Sequence, residues 1–141
     1  MKIRKANQED AGAITALLEQ LGYPRTQAFL ADRINLLADD SSKELVVGEE
    51  NGRVVAVLSL HFIPQLAVAG PFARISYLCV QEGLRSQGIG RQLEEYAETT
   101  ARARGCDLIE LHSNGRRTEA HRFYFRQGYE ESPKYLMKRL K

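Results

Sequence analysis

Two glycines and two arginines fall within the motif RSQGIGRQL at positions 85–93. A β-branched stretch precedes this motif and a helical pattern follows it, so Gly88 and Gly90 lie at a predicted strand-to-helix turn. Such a turn presents unpaired main-chain N–H groups, and glycine lets a phosphate come close to the backbone. Arg85 and Arg91 add positive charge beside it. The motif predicts an anion-binding site, with a purely structural tight turn as the alternative.

The residues that follow the second glycine disfavour two phosphate-binding classes. A P-loop needs Lys and then Ser or Thr after its last glycine, but Arg91 and Gln92 follow Gly90. The dinucleotide-binding fingerprint needs a third glycine where Leu93 stands, and it belongs in the first strand–helix unit of a parallel sheet. Nucleoside-triphosphate chemistry and dinucleotide binding are therefore not expected.

A second motif, AHRFYFRQGY at positions 120–129, places Tyr124 on the apolar side of a predicted helix that Gly128 ends. In order and spacing, the two motifs resemble the acetyl-CoA-binding motif Q/R-x-x-G-x-G/A and the FYxxxGF/Y helix of the GNAT superfamily of N-acetyltransferases. The resemblance covers nearly the whole chain. The segment SNGRRTEAHRFYFRQGYEES is also similar to a subgroup that includes aminoalkylphosphonate N-acetyltransferases.

Hydrophobic patterning predicts the element order β-α-α-β-β-β-α-β-α-β, and hence an α+β fold with an α/β-type mixed sheet. Asn51-Gly52 between two β-branched runs predicts a hairpin, and alternation at 132–140 predicts a final strand. The resemblance implies a GNAT-like fold with helices on both faces of a mostly antiparallel sheet of about six to seven strands. We expect one GNAT acetyltransferase domain over residues 1–141.

The resemblance also implies an activity, which is acetyl-CoA-dependent transfer of an acetyl group directly to a primary amine of a small molecule or a protein. Main-chain amides of the glycine loop would bind the CoA pyrophosphate, and the strand before it would pair with the pantetheine arm. Tyr124 would protonate the departing thiolate, because a phenol with a pKa of about 10 carries its proton at neutral pH. The cofactor-binding residues implied are Leu78, Cys79, Val80, Arg85, Gln87, Gly88, Ile89, Gly90, Arg91, Asn114, Arg117 and Tyr124.

Two positions depart from the pattern of the family. Many members carry a glutamate in the strand before the glycine loop, whereas FARISYLCV at 72–80 has no carboxylate. Substitute bases are Glu82, Glu110, His61 and His112, each with an alternative as an ordinary strand or surface residue. The missing glutamate also leaves open a non-catalytic module that binds or senses acyl-CoA. Where many members have an asparagine, Arg117 would contact a CoA phosphate or solvent, with Asn114 nearby.

Composition and charge limit the other classes of function. The two cysteines, Cys79 and Cys106, form neither a CxxC pair nor a metal-ligand spacing, so we expect reduced core thiols and no metal. A net charge of +2 is too mild to indicate nucleic acid as a partner. The arginines at 116–126 alternate with glutamate, which is typical of a solvated helix face.

The remaining expectations concern location, assembly and the acceptor. The first residues lack an apolar segment and the longest apolar run is too short to span a bilayer, so we expect a cytoplasmic protein without a membrane partner. The resemblance is compatible with a monomer or a homodimer. The acceptor is expected to contact the first two helices, the hairpin and the loop HFIPQLAVAGP at 61–71.

Overall fold

The computed structural model describes residues 1–113, 117–132 and 135–141. These residues form two compact units, Met1–Glu110 and Leu111–Lys141. A single domain over the whole chain stays a prediction. Among the described residues, no helix is both long and apolar enough to cross a membrane.

The helices and strands of the described residues follow one another as β-α-α-β-β-β-α-β-α. Short 3-10 turns at Gln8–Asp10 and Thr26–Ala28 precede the first two α-helices. The elements are β1 (Lys2–Lys5), α1 (Ala11–Gln20), α2 (Leu30–Ala38), β2 (Lys43–Glu50), β3 (Arg53–Ile63), β4 (Phe72–Val80), α3 (Ile89–Ala103), β5 (Leu108–Leu111) and α4 (Thr118–Arg126).

The sheet has the strand order β1-β2-β3-β4-β5, and its first three pairings are antiparallel. Val47 and Val57 belong to one buried cluster with residues of α1 and α2. Their chain neighbours Val46 and Leu58 are completely buried, and successive strand residues point to opposite faces. Helix α3 contacts β3 and β4. Helices therefore pack on both faces of the sheet, and the predicted α+β fold with a mixed sheet is confirmed.

The prediction of six to seven strands is not confirmed, because the described residues form five. The predicted final strand at 132–140 falls partly on residues outside the described ranges, and no strand is assigned at 135–141. Leu136 is 84% exposed and Leu140 is 89% exposed. Alternation stabilises a strand only where one face becomes buried and a neighbour completes the hydrogen-bond ladder. Neither apolar position is buried here.

Local sequence signals position the first elements. Asn51 has a φ of +52° and Gly52 a φ of +77°, which is the type I′ turn that suits the right-handed twist of a hairpin. The predicted hairpin of β2 and β3 is confirmed. The side chain of Asn7 accepts a hydrogen bond from the N–H of Glu9 at 2.9 Å, and Asp10 accepts one from the N–H of Asn7. This capping box begins the 3-10 turn that leads into α1.

Candidate functional site

The loop between β4 and α3, residues 81–88, is wound by three left-handed residues. The φ angles are +90° at Gly83, +69° at Ser86 and +81° at Gly88. Residues with negative and positive φ in succession turn main-chain N–H groups towards a common concave side, where they can bind an anion. The backbone of this loop therefore has the form that the glycine motif predicts.

The first turn of α3 supplies further main-chain donors. Gly88 is the N-cap and has no side chain to cap the helix. The first intrahelical bond runs from the N–H of Gln92 to the carbonyl oxygen of Gly88 at 3.1 Å. The N–H groups of Ile89, Gly90 and Arg91 precede that bond and need partners from outside the helix. Together with the helix dipole, they provide the partial positive charge that attracts a phosphate.

The side chains beside these amides contribute less charge than the sequence suggests. Arg91 Nε lies 3.0 Å from Glu95 Oε1, and both side chains are well exposed. The guanidinium of Arg91 is thus paired along its own helix, whereas Arg85 is exposed in the loop. Gly90 is the second residue of α3. Its φ lies outside the left-handed region, so only Gly88 of the two glycines is required by backbone conformation.

Helix α1 holds the beginning of the loop. The side-chain oxygen of Gln20, the last residue of α1, accepts a hydrogen bond from the N–H of Glu82 at 2.8 Å. An open groove of about 550 Å³ lies beside this contact. The groove is lined by Ala13, Ala16, Leu17, Gln20, Arg53, Val54, Gln81 and Glu82.

The end of β4 carries the three residues that the resemblance assigns to the pantetheine arm. Leu78, Cys79 and Val80 pair with residues 56–58 of β3. Cys79 is 4% exposed, and its Sγ lies 3.1 Å from the carbonyl oxygen of Leu17. The prediction that Cys79 is a reduced core thiol is confirmed, because it is buried and forms no disulfide among the described residues. Its side chain belongs to the core, which leaves only the main chain for a binding role.

Helix α4 in the second unit carries Tyr124. Its ring centroid lies 5.1 Å from that of Phe123 and 5.4 Å from that of Tyr129, both in edge-to-face geometry. Tyr124 is half-buried. The helix ends where the N–H of Gly128, at φ +95°, donates to the carbonyl oxygen of Phe125. The predicted helix and its glycine stop are confirmed, and the role of Tyr124 stays a prediction.

Arg117 and Asn114 are the two remaining residues that the resemblance assigns to the cofactor. Arg117 is exposed and directly precedes α4, and its carbonyl oxygen accepts a hydrogen bond from the N–H of His121 at 3.1 Å. Asn114 lies outside the described residues. Among the described residues, no group of three or more His, Cys, Asp or Glu side chains could hold a metal ion.

Two of the four candidate bases lie beside the first residues of β4. Glu110 accepts two hydrogen bonds from Arg74, at 2.6 and 2.9 Å. His61 pairs in register with Arg74, and burial lowers the pKa of His61, with the charges of Lys43 and Arg74 lowering it further. Val80 lies six residues beyond Arg74 along the strand, a distance of about 20 Å. His61 and Glu110 are therefore far from the glycine loop.

The other two candidate bases have different surroundings. Glu82 is exposed and lies two residues beyond Val80, at the beginning of the loop. In the second unit, the His112 ring lies 4.4 Å from that of Tyr135. The structure thus brings one candidate carboxylate, Glu82, next to the end of β4.

An aromatic contact that no sequence motif predicts lies near the same strand. The rings of Tyr23, just after α1, and Tyr77 of β4 lie 5.4 Å apart at 81°. On α2, the guanidinium carbon of Arg33 lies 5.2 Å from the centroid of the Phe29 ring. The sequence shows large aromatic residues in three separate segments, but their spacing does not predict that they lie close together.

The N-terminus of α3, which follows a strand of a mixed sheet, offers main-chain amides that can bind an anion. The chain belongs to the acetyltransferase (GNAT) family, whose model matches residues 11–129. It is therefore an acyltransferase of the N-acetyltransferase type.

Similar proteins support this assignment. The chain is 37% identical over 136 residues to an aminoalkylphosphonate N-acetyltransferase of Salmonella typhimurium, a match that covers 93% of this chain and 86% of the relative. A solved transcriptional regulator from Bacillus halodurans C-125 is 27% identical, with a TM-score of 0.89 and 99% of each chain covered. An aminoglycoside N-acetyltransferase in complex with CoA matches with a TM-score of 0.86, covering 98% of this chain and 93% of that chain. Its 14% identity shows a shared fold alone.

Proposed function

We propose that this protein transfers the acetyl group of acetyl-CoA to the primary amine of a small molecule. The observation that carries the proposal is the N-terminus of α3, where Gly88 at φ +81° precedes three amides that have no partner within the helix. The family of the chain and the N-acetyltransferase that it resembles support acetyl transfer. The small-molecule acceptor is favoured because that relative is named for one.

In this proposal, the cofactor is bound mainly by the backbone. The amides from Gln87 to Arg91 bind the pyrophosphate, and the main chain of Leu78, Cys79 and Val80 pairs with the pantetheine arm. The resemblance assigns further phosphate contacts to Arg85, Arg117 and Asn114. Because main-chain donors are held by the fold, they are preorganised for the anion and need little rearrangement when it binds.

The reaction requires three proton movements. A free amine nitrogen attacks the thioester carbonyl carbon, and the collapse of the tetrahedral intermediate breaks the C–S bond and releases the CoA thiolate. Tyr124 donates its phenolic proton to that sulfur and regains one that the nitrogen loses as the amide forms, while a main-chain N–H at the end of β4 stabilises the oxyanion. The amine is mostly protonated at neutral pH and must first lose a proton. We assign that proton to Glu82, through water, because Glu82 is the candidate carboxylate nearest to the end of β4.

The first experiment separates ligand binding from turnover. Thermal unfolding is measured with acetyl-CoA, CoA, ATP with Mg²⁺, and NAD. A rise in Tm confined to the CoA ligands supports the site by linkage, and thiol release with a panel of amines then tests catalysis. No shift with acetyl-CoA well above micromolar concentration would refute the proposal.

A second candidate function is a module that binds acyl-CoA without turnover. The absence of a carboxylate from the sequence of β4 favours it. Such a module would show the same Tm rise with CoA ligands and no thiol release with any amine. Release of thiol in proportion to an acetylated product excludes it.

A further inference from the structure

Four side chains of the first unit form an exposed surface over β4, which we call the aromatic–arginine surface. It consists of Tyr23, Phe29, Arg33 and Tyr77. The three aromatic residues are 48%, 46% and 38% exposed in that order, which is unusual for rings of this size in one neighbourhood. Large apolar rings grouped on a surface commonly mark a place where a ligand binds.

Two direct contacts organise this surface. Tyr23 and Tyr77 meet edge to face, with ring centroids 5.4 Å apart. The guanidinium of Arg33 lies over the ring of Phe29, which is one helical turn earlier in the chain. The main-chain N–H of Arg33 donates to the carbonyl oxygen of Phe29 at 3.0 Å. The guanidinium is therefore supported by a ring and keeps its edge available, which is the arrangement in which arginine binds planar or tetrahedral anions.

The two pairs lie beside one buried cluster that α1, α2 and β4 share. Ile34, next to Arg33, and Cys79, two residues after Tyr77, belong to the same buried cluster. Cys79 and Tyr77 lie on one face of β4 because strand side chains alternate. Burial raises the pKa of Tyr77, a nearby Tyr23 raises it further, and the charge of Arg33 opposes that rise.

Among the described residues of the first unit, Arg33 is one of five arginines without a carboxylate partner, whereas four others have one. Arg4, Arg74, Arg91 and Arg102 each lie within 4.0 Å of a carboxylate oxygen. Within the described ranges, Arg33 forms no ion pair. An arginine held against an aromatic ring without a carboxylate partner can accept an anionic group from a ligand at little cost.

The surface is also close to the reacting centre of the proposed function. Tyr77 directly precedes Leu78, and two strand residues from Tyr77 to Cys79 span about 6.6 Å. A short molecule with an amine at one end and an anion at the other could therefore extend from Arg33 towards the end of β4. The relative is named for such molecules, since an aminoalkylphosphonate carries both groups.

We propose that the aromatic–arginine surface binds the acceptor, and that Arg33 selects amines that carry an anionic group, a phosphonate in preference to a carboxylate. This inference rests on the proposed function and deepens it by naming the substrate class. A tetrahedral phosphonate offers more oxygens and more charge than a carboxylate to a guanidinium, which favours bidentate contact. The rings of Tyr23 and Tyr77 would cover the short alkyl chain.

The test measures binding and turnover separately. Isothermal titration gives the Kd of 2-aminoethylphosphonate and of β-alanine for the protein with and without CoA. Thiol release from acetyl-CoA gives KM for 2-aminoethylphosphonate and for the neutral amine n-propylamine. The variants are Arg33→Met, Arg33→Lys and the matched control Arg102→Met, which removes an exposed charge on α3.

We expect Arg33→Met to raise the Kd and the KM for 2-aminoethylphosphonate by about tenfold or more, because a charge-assisted hydrogen bond is lost. Arg33→Lys should recover part of that loss. Arg102→Met should leave the Kd and the KM for 2-aminoethylphosphonate unchanged, and Arg33→Met should leave the KM for n-propylamine unchanged. Equal Kd values for wild type and Arg33→Met would overturn the inference, as would absence of binding up to about 10 mM.

The outcomes separate this inference from the proposed function. The protein could acetylate n-propylamine while Arg33→Met leaves the Kd and the KM for 2-aminoethylphosphonate unchanged. That result supports the proposed function and overturns the selection by Arg33. Binding of 2-aminoethylphosphonate that depends on Arg33, without thiol release from any amine, supports the surface and overturns the function.

Discussion

The side-chain oxygen of Gln20 accepts a hydrogen bond from the main-chain N–H of Glu82 at 2.8 Å. This contact joins the last residue of α1 to the beginning of the β4–α3 loop. Because the amides of that loop form the proposed pyrophosphate site, α1 takes part in holding the site although none of its residues belongs to the glycine motif.

The contact predicts that Gln20→Ala weakens CoA binding more than it weakens folding. Loss of one partly exposed hydrogen bond costs about 0.5–1.5 kcal/mol, and the cost falls on the loop rather than on the core. We expect a several-fold higher Kd for CoA by isothermal titration and a small change in Tm. Glu19→Ala, at the exposed neighbouring position, is the control. Equal effects of the two substitutions on CoA binding would contradict the prediction.

Gly88 and Gly52 form a matched pair for testing the loop. Their φ angles are +81° and +77°, and an added Cβ would meet nothing within 4 Å at either position. Gly88→Ala and Gly52→Ala should each lose roughly 1–2 kcal/mol of stability, since alanine is strained in the left-handed region. Only Gly88→Ala should weaken CoA binding, because relief of that strain moves the amides of α3. If both variants keep the wild-type Kd, the loop is not the CoA site.

Tyr124→Phe tests the proposed acid. The substitution removes the hydroxyl and keeps the ring that contacts Phe123 and Tyr129. We expect kcat to fall about a hundredfold or more, the usual contribution of a general acid, while the Kd for CoA stays unchanged. Tyr129→Phe makes the same chemical change on the neighbouring ring and should preserve kcat. Parallel losses of kcat and CoA affinity in Tyr124→Phe would indicate a structural role.

The buried carboxylate of Asp10 predicts a pH dependence of stability. Its hydrogen bonds from Arg4, at 2.8 and 2.9 Å, lower its pKa below the ordinary value of 3.8, and a hydrogen bond from the N–H of Asn7 adds to that effect. A group with a lowered folded-state pKa stabilises the fold above its ordinary pKa and loses that contribution as pH falls through the folded value. The stabilisation by Asp10 should therefore be complete at neutral pH and disappear in acid.

Asp10→Asn measures that contribution. We expect the free energy of unfolding at pH 7 to fall by about 1–3 kcal/mol, because a charge-assisted pair in a largely buried place is lost. Below pH 3.8 the difference between variant and wild type should shrink. Denaturant unfolding at several pH values provides the comparison, with the exposed Glu9→Gln as control. A difference that stays constant over the whole pH range would show that the charge of Asp10 does not stabilise the fold.

Several elements could be predicted closely from the sequence. The spacing of apolar residues predicts a helix from Ile89 to Arg104, which is observed as Ile89–Ala103, and the Asn51-Gly52 turn has the expected conformation. The same spacing predicts a helix from Thr26 to Leu37, but the observed chain is interrupted at Phe29, whose φ of −133° separates a 3-10 turn from α2. The apolar periodicity of that segment continues through the interruption, so the pattern did not reveal it.

The strand β5 is shorter than its apolar pattern predicts. The sequence CDLIELHS at 106–113 has β-branched and apolar residues, but only Leu108–Leu111 form the strand. The N–H of Cys106 donates to the carbonyl oxygen of Ala101, and that of Asp107 donates to Pro71. These hydrogen bonds occupy the main-chain N–H groups at the start of the segment, so the groups do not pair in the sheet. The strand propensity of the residues does not predict such bonds.

The sequence by itself determined the hairpin and the glycine turn before α3, because each depends on residues within a few positions of one another. It also determined the family, through two motifs in order. Only the tertiary structure decided that Gln20 holds the loop, that Glu110 is paired with Arg74 and that the ring of Tyr23 meets that of Tyr77. Those relationships join residues more than thirty positions apart. They exist because buried side chains of α1 and α2 pack on the sheet, and no local pattern specifies which polar groups meet at the edge of that packing.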